Sequence, residues 1–272
     1  MTGDQQTDNN LHRWLAPISD SAWQQIEQEA ARTVKRSLAA RRVIDIEGPL
    51  GFSFASVTTG HVAEIVTPAD GVQARLRGVL PLVEVRVPFT LERSAVDDVA
   101  RGSQDSDWQP VKDAATAIAR TEDRAVFEGY PAAAIAGIGP TASNPAITLP
   151  DTAVDYPDAV AQALTTLRLA GVEGPYALVL DAAAYTAVAE TRDHGYPILE
   201  QLNRLVPDAI VWGPALRGGY LLSTRGGDYA LTIGQDSSIG YSRHTDTTID
   251  LYLQETFTFA AYTAEASVYL SR

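Results

Sequence analysis

The strongest constraint on the fold is the stretch from residue 225 to the end, RGGDYALTIGQDSSIGYSRHTDTTIDLYLQETFTFAAYTAEASVYLSR, which predicts one β-strand after another. It carries no cluster of acids, bases or nucleophiles of the kind that builds an active site. A segment of this composition pairs with other strands and packs against them. The C-terminal part of the chain therefore indicates a structural role.

The bulk composition narrows the class of protein further. The 272 residues exceed the ~100–150 residues typical of one domain, which predicts two domains or one domain with a long excursion. A content of 45% apolar residues is enough to bury a core. The net charge of −13 argues against a partner made of nucleic acid, because phosphate binding requires an excess of Lys and Arg.

The compartment is indicated by what the sequence lacks. There are no cysteines, which excludes disulfides, thiolate catalysis and sulfur-ligated metals. The first ten residues, MTGDQQTDNN, have neither the basic start nor the apolar run of a signal peptide, and no stretch approaches the ~20 apolar residues of a membrane span. We expect a soluble, cytoplasmic protein without a membrane partner, whose residues 1–10 are disordered or weakly held.

The first half of the chain predicts a helix followed by β-structure. A capping sequence at Ser19, with Gln24 behind it, starts an amphipathic helix of about 20 residues that ends near Arg42. The pattern then becomes β-like at 43–46. Alternating segments follow over residues 52–89, at 52–55, 62–66, 72–76 and 83–87, with a turn at 68–71.

Such alternation leaves one dry face that needs a cover. We expect this long hairpin to lie on a neighbouring subunit, the alternative being an ordinary β-meander packed inside its own domain.

A second long helix begins after Asp107, accommodates Pro110 in its first turn and ends at Gly129. Glu122 lies in its apolar stripe and is expected to pair with a neighbouring arginine. Residues 137–150 are loop-like and mark the expected boundary between two lobes. An α/β pattern follows, with helices at 157–170, 182–190 and 197–206 and strands at 176–180, 209–212 and 219–224.

Known catalytic and binding motifs do not fit. Gly137 begins a loose dinucleotide fingerprint, but Pro140 and Pro145 occupy the positions where its helix should run. The four histidines fall in four separate segments, which supports neither a zinc nor a di-iron site. A dispersed Ser/His/Asp triad stays open, because triads assemble from distant positions. We therefore predict no catalytic residue, no metal and no cofactor.

Four stretches carry a resemblance to a known family. Residues 225–272, together with LHRWLAPISDSAWQQIEQEAARTVKRSLAARRVIDIEGPLG, DSDWQPVKDAATAIARTEDRAVFEGY and ETRDHGYPILEQLNRLV, resemble the encapsulins, the linocin-like bacterial shell proteins, in the same order. The resemblance implies the α+β fold of tailed-phage major capsid proteins. It also implies a non-enzymatic protomer of a homo-oligomeric, icosahedral compartment that encloses a cargo enzyme bound through a C-terminal targeting peptide.

The same resemblance implies a division of the chain. Residues 1–48 would hold the cargo-facing helix and the start of the peripheral domain, and 49–90 an extended β-hairpin loop. The peripheral domain with its spine helix would continue over 91–140, the axial domain over 141–224, and residues 225–272 would return to the peripheral domain.

Six residues match the cargo-binding positions of the family: Val34, Leu38, Arg41, Asp45, Ile46 and Ile239. Branched aliphatic side chains suit the apolar anchors of a peptide, while Arg41 and Asp45 suit its polar groups. The alternative, for Val34 and Leu38 above all, is that they complete the core. The family suggests a dye-decolourising haem peroxidase or a ferritin-like protein as cargo.

The loop 191–197 corresponds to the pore loop of the family, with Arg192, Asp193, His194 and Gly195 lining an aperture. An unremarkable loop between helices is the alternative. Two other functions stay open: a soluble hydrolase with a dispersed triad, and a prophage major capsid protein. The N-terminal helix favours the encapsulin over the prophage protein.

Overall fold

The computed structural model describes residues 9–272 and divides the chain into two compact units. Within the described residues, unit 1 comprises residues 9–38, Glu84–Glu122 and Gln235–Thr256. Unit 2 comprises Ala39–Val83, Asp123–Gly234 and Phe257–Arg272. Residues 137–150, the expected boundary between lobes, therefore lie inside unit 2. Of residues 1–10, for which disorder was expected, 1–8 lie outside the described part of the chain.

The described chain contains both helices and strands. The helices are α1 (Asp20–Ser37), α2 (Arg93–Ala100), α3 (Gln109–Phe127), α4 (Ile138–Thr141), α5 (Tyr156–Leu169), α6 (Ala182–Glu190) and α7 (Ile198–Leu205). The strands are β1 (Asp45–Glu47), β2 (Ser56–Ile65), β3 (Ala74–Pro81), β4 (Val83–Glu92), β5 (Ile147–Thr148), β6 (Tyr176–Leu180), β7 (Arg192–Asp193), β8 (Tyr196–Pro197), β9 (Ala209–Trp212), β10 (Gly219–Ser223), β11 (Tyr229–Ile233), β12 (Ser238–His244), β13 (Thr248–Ala261) and β14 (Ser267–Ser271). Within residues 9–272, no helix combines the length and the apolar character that a membrane crossing requires.

The first predicted helix is confirmed at its start and corrected at its end. Ser19 is the N-cap of α1, and its Oγ accepts a hydrogen bond from the Ala22 N–H at 3.4 Å. The helix ends at Ser37 rather than near Arg42, because the backbone of Leu38 is extended. In unit 2 the chain then forms a 3-10 turn over Ala40–Arg42. The N–H groups of Ala39 and Ala40 donate to the buried carboxylate of Asp123, which stabilises this turn.

The core of unit 1 lies between helices and sheet. In this unit β12 pairs antiparallel with β13, from Ser238 opposite Gln254 to His244 opposite Ile249, and β4 also pairs with β13. The apolar faces of α1 and α3 meet the inner face of these strands, as Ile26, Ile118 and Leu91 illustrate by being fully buried. Burying such a side chain contributes about 1.5–3 kcal/mol. The helix α2, which sequence reasoning missed, adds Val96 and Val99 to this core.

The N-terminal segment of unit 1 is fastened to the same sheet. The amide of Asn10 donates to Gln235 at 3.1 Å, and the Tyr252 hydroxyl donates to the Asn10 carbonyl at 3.3 Å. Arg13 pairs with Glu27 at 2.5 Å and covers the ring of Trp23. These contacts fix the approach to α1.

Unit 2 contains a five-stranded sheet in the order β5-β14-β10-β6-β9. The strand β6 pairs parallel with β9 and antiparallel with β10, and the side chains of α5, α6 and α7 supply buried apolar residues such as Leu164, Val188 and Leu202. The last strand is a correction to the expectation that the C-terminal strands return to the first lobe. β14 pairs with β10, from Gly219 opposite Leu270, and therefore belongs to the sheet of unit 2.

The predicted β-region 52–89 divides into three parts. Residues 52–55 form no strand: the Phe54 N–H donates to the Gly51 carbonyl, and Gly51, at φ +100, starts a turn. The strands β2 and β3 form a separate antiparallel hairpin in unit 2, with Val57 opposite Leu80 and a register shift between Thr58 and Val62. The remaining strand, β4, pairs with β13 instead, so the hairpin ends at Pro81.

Candidate functional site

The predicted cargo residues of unit 1 lie in its core. Val34, Leu38 and Ile239 belong to one buried cluster, and Leu38 is only 5% exposed. Gly240, beside Ile239, has no room for a side chain, because a Cβ there would lie 2.1 Å from the Tyr252 ring. These residues shape the packing of α1 on β12. The alternative that they complete the core accounts for their contacts.

The predicted cargo residues of unit 2 are more accessible. Asp45 and Ile46 lie on β1, which pairs parallel with β11, and the Ile46 side chain is 44% exposed. In the described chain, residues 9–272, β1 has a partner strand on one side only, so its outer edge has free backbone groups. Arg41 precedes β1 in the 3-10 turn and is half-buried.

Asp45 also has a structural task. Its carboxylate accepts a hydrogen bond from the Gly227 N–H at 2.6 Å and so ties β1 to the turn that precedes β11. The same turn is closed by Arg225, which donates through Nε and Nη2 to the buried carboxylate of Asp228 at 3.0 and 2.9 Å. This bidentate bond raises the pKa of Arg225, so the guanidinium stays charged.

A pocket of about 140 Å³ lies beside this turn, within unit 2. Arg42, Asp45, Thr224 and Asp228 line it, and Tyr229 closes one side. Burial raises the pKa of Tyr229 to about 12, so the phenol stays neutral at any physiological pH. The wall of the pocket thus contains one cationic side chain, Arg42, and two carboxylates, those of Asp45 and Asp228.

A second pocket, of about 350 Å³, lies in unit 1 and was not anticipated from the sequence. Gln25, Gln28, Glu29, Arg32, Gln104 and Trp108 line it. The Trp108 indole donates to the Gln25 amide at 3.2 Å, while Glu29 accepts from Thr33 and pairs with Arg32. Side chains that lie three and four residues apart on α1 form its wall, a helical spacing that carries no functional signal by itself.

The predicted pore loop is a compact β-hairpin. β7 pairs with β8 through Arg192 opposite Pro197 and Asp193 opposite Tyr196. His194 and Gly195 form its tip, both at positive φ, as a two-residue hairpin turn requires. The His194 side chain is 98% exposed, and its Nε2 lies 3.7 Å from Oδ1 of Asp193.

Within residues 9–272, the largest group of exposed large apolar side chains lies on the β2–β3 hairpin. Its exposed large side chains are Val62, Ile65, Val66, Val72, Leu76 and Val79. Because β2 and β3 pair only with each other, no third strand covers either edge of the ribbon within residues 9–272. Sequence alternation indicated strands here, but it did not show that both faces stay uncovered.

Within residues 9–272, no group of three or more histidine, aspartate and glutamate side chains is arranged to hold a metal ion. His244 accepts from or donates to the Tyr241 hydroxyl at 2.6 Å, and His194 lies near Asp193 at an exposed tip. Neither pair includes a serine. The geometry at these histidines therefore gives the hydrolase alternative no support.

Comparison with known proteins adds a family. A family model described as an encapsulating protein for peroxidase matches residues 8–258. A type 1 encapsulin shell protein of Rhodococcus erythropolis is 58% identical over 96% of this chain and 99% of its own length. The corresponding proteins of Mycobacterium tuberculosis and Rhodospirillum rubrum are 57% and 45% identical, with 97% and 96% of this chain covered and 99% and 95% of their own lengths.

Two solved structures show the fold. A virus-like particle from Pyrococcus furiosus matches with a TM-score of 0.64 and 13% identity, over 92% of this chain and 99% of its own. The capsid of Myoviridae phage XM1 matches with a TM-score of 0.56 and 12% identity, over 86% and 91%. At these identities the likeness concerns the fold alone.

Proposed function

This chain belongs to the family of type 1 encapsulin shell proteins, and from that premise we propose that its copies close into an icosahedral shell around a cargo enzyme. Its α+β fold is the fold of phage capsid proteins. The relatives are shell proteins, so we assign catalysis to the cargo rather than to this chain.

The exposed β2–β3 hairpin is the observation that carries the assembly. An isolated two-stranded ribbon is at best marginally stable, and monomeric proteins seldom expose apolar patches of this kind. Val66, at the end of the hairpin, is 97% exposed, and contact with a partner surface would bury it. A second copy of the chain is the partner that a shell supplies, and contacts that repeat around closed symmetry yield a finite particle.

For the cargo we propose a peroxidase whose C-terminal tail binds at β1, a dye-decolourising haem peroxidase in preference to a ferritin-like protein. The family description, an encapsulating protein for peroxidase, supports this choice. The exposed side chain of Ile46 and the free edge of β1 suit an extended apolar peptide, and Arg41 precedes them in the chain. In this proposal Val34, Leu38 and Ile239 do not contact the tail; they pack in the core of unit 1.

We also assign the β7–β8 hairpin to an aperture in the shell. Arg192, Asp193, His194 and Gly195 would stand in several copies around a symmetry axis and set its charge. The tip supports this assignment, because the Arg192 and His194 side chains that it carries are polar and exposed.

The cargo site is tested by three aspartate substitutions in cells that also produce the cargo. Ile46→Asp should leave shells intact and remove most of the cargo, because the carboxylate faces an apolar anchor. Leu38→Asp should lose the shell itself, because an unpaired carboxylate in a core costs several kcal/mol, on the order of 3–5. Leu169→Asp, at an exposed leucine of α5, is the matched control and should change neither.

Electron microscopy reports the shell, and the mass ratio of cargo to shell in the purified particles reports loading. Cargo at the wild-type ratio in Ile46→Asp shells would rule out β1 as the binding site. Intact, empty shells of Leu38→Asp would instead show that the tail reaches the residues of unit 1.

A further inference from the structure

The β7–β8 hairpin is too short to hold its own conformation. Only two residue pairs join its strands, Arg192 with Pro197 and Asp193 with Tyr196. A two-stranded ribbon of ordinary length is already marginal in water. At its base the Ile198 N–H donates to the Thr191 carbonyl at 3.0 Å, which closes the loop but does not orient its tip. A further contact must fix the position of the hairpin.

One side chain of α7 supplies that contact. The Nη2 of Arg204 donates to the Tyr196 hydroxyl at 2.8 Å. The same guanidinium lies over the Tyr196 ring, with 5.1 Å from Cζ to the ring centroid. Two different interactions therefore join one pair of residues, a hydrogen bond and a cation–π contact.

The two ends of this contact differ in rigidity. α7 is anchored in unit 2, because its Ile198 and Leu202 side chains are fully buried. Tyr196 is half exposed, so burial does little to hold its ring. Arg204 thus reaches from an anchored helix to the more exposed member of the pair, and the His194–Gly195 tip directly precedes Tyr196 in the chain.

Resting on the aperture assignment above, we propose that Arg204 and Tyr196 form a clasp that positions the His194–Gly195 tip and so sets how readily small ions pass. Both are positioning residues. Within residues 9–272, no carboxylate lies within salt-bridge distance of Arg204, so its guanidinium is available to the phenol. Its positive charge also stays beside Tyr196, the residue that follows the His194–Gly195 tip.

The charge and the geometry of the clasp are separable by substitution. Tyr196→Phe keeps the ring and the charge of Arg204 but removes the acceptor of the hydrogen bond. Arg204→Lys keeps the charge but loses the planar group that bonds and stacks at once. Tyr185→Phe removes a hydroxyl from the neighbouring helix α6 and serves as the matched control.

Hydrogen exchange of assembled shells tests the clasp directly. The backbone amides of residues 192–196 should exchange about two- to ten-fold faster in Tyr196→Phe and Arg204→Lys, the range expected for one ordinary hydrogen bond. Exchange in α5 and in the control should stay at the wild-type rate. Unchanged exchange at residues 192–196 in both variants would overturn the clasp, whether or not the hairpin lines an aperture.

Entry of a small anionic quencher into shells that contain a fluorescent dye tests the second part. The entry rate should change by a similar factor in the two variants, with particle size and melting temperature unchanged. Faster exchange with an unaltered entry rate would overturn the effect on passage. In that case the clasp exists and the aperture assignment is the part that fails.

Discussion

The strand β13 and the β2–β3 hairpin have similar sequence patterns but differ in burial. Both alternate apolar with polar side chains over long stretches. β13 is buried along nearly its whole length, because it pairs with β4 and β12 in unit 1 and with β11 in unit 2. The hairpin strands pair only with each other and stay exposed on both faces. Periodicity therefore identifies a strand, but the neighbours decide whether it is a core strand or an interface.

The same comparison gives the energy available to assembly. Complete burial of an aliphatic side chain contributes about 1.5–3 kcal/mol, and β13 has realised most of it within the subunit. The six exposed side chains of the hairpin still have about half of this to gain, on the order of 5 kcal/mol per subunit. This gain is what the contacts between copies add to subunits that are already folded.

Shortening the hairpin should have the largest effect. Thr58 and Val79 lie opposite each other, so replacing residues 59–78 by Asn-Gly leaves a two-residue hairpin turn of the favoured type. Of the six exposed large apolar side chains of the hairpin, only that of Val79 remains, while β13 and both unit cores are untouched. We expect folded subunits that form no shells, measured by light scattering together with near-ultraviolet circular dichroism. Shells of wild-type size from this variant would show that the hairpin is not an assembly element.

A pair of alanine substitutions separates folding from assembly. Ile118→Ala removes a fully buried side chain of α3 and should cost about 2–5 kcal/mol of unfolding free energy. Val66→Ala lies at the exposed end of the hairpin and should change folding by less than about 0.5 kcal/mol. During titration with guanidinium, circular dichroism should show a lower unfolding midpoint for Ile118→Ala. Light scattering should show a lower midpoint of shell dissociation for Val66→Ala. If Val66→Ala lowers both midpoints equally, the hairpin belongs to the folding unit.

The sequence was most informative where local signals were strong. α6, β6 and β9 have the predicted bounds, because Asp181 caps α6 and the two strands are short apolar runs between turns. α2 was missed because only Val96 and Val99 mark its buried face, and its N-cap Glu92 makes no side-chain bond. The partner of β14 lies far away in sequence, so no local pattern could indicate it.

The candidate site shows the same limit. Val34 and Ile46 are both branched aliphatic residues near the end of the first helix, yet one is buried and the other exposed. Sequence alone does not distinguish an apolar residue that packs in the core from one that awaits a partner. The contact between Tyr196 and Arg204 was missed for a different reason. It joins a hairpin to a helix eight residues later, a spacing with no regular signal.

High pH should weaken the buried regions and spare the hairpin. An exposed tyrosine in the unfolded chain ionises near pH 10, whereas burial raises the pKa of Tyr229 to about 12. Above pH 10 the folded state therefore binds more protons than the unfolded state, and stability falls as the pH rises. We expect a loss of about 2 kcal/mol between pH 10 and 12 from this residue, smaller in Tyr229→Phe. Residues 56–81 contain no tyrosine, so their contacts should show no such dependence. Equal alkaline sensitivity of Tyr229→Phe and wild-type unfolding midpoints would argue against this residue as the source.

The β7–β8 hairpin is exposed like β2–β3, but its tip is charged rather than apolar. Such a tip interacts with solvent and ions instead of with a partner surface. Its charged groups are Arg192, Asp193 and His194, with Arg204 nearby on α7. If several copies gather at an axis, each protonated imidazole disfavours the next, and their repulsion loosens the tip.

The smallest expected effect is that His194→Ala removes most of the pH dependence of small-ion entry without altering assembly. Histidine changes its charge between roughly pH 5 and 8, so wild-type shells should show their dependence there. His61→Ala, at an exposed histidine of the β2–β3 hairpin, removes the same group from a surface proposed to face another subunit and is the matched control. Stopped-flow quenching of a dye inside the shell measures entry across this range. If the entry rates of wild type and His194→Ala depend on pH in the same way, the tip has no gating role and is an ordinary surface turn.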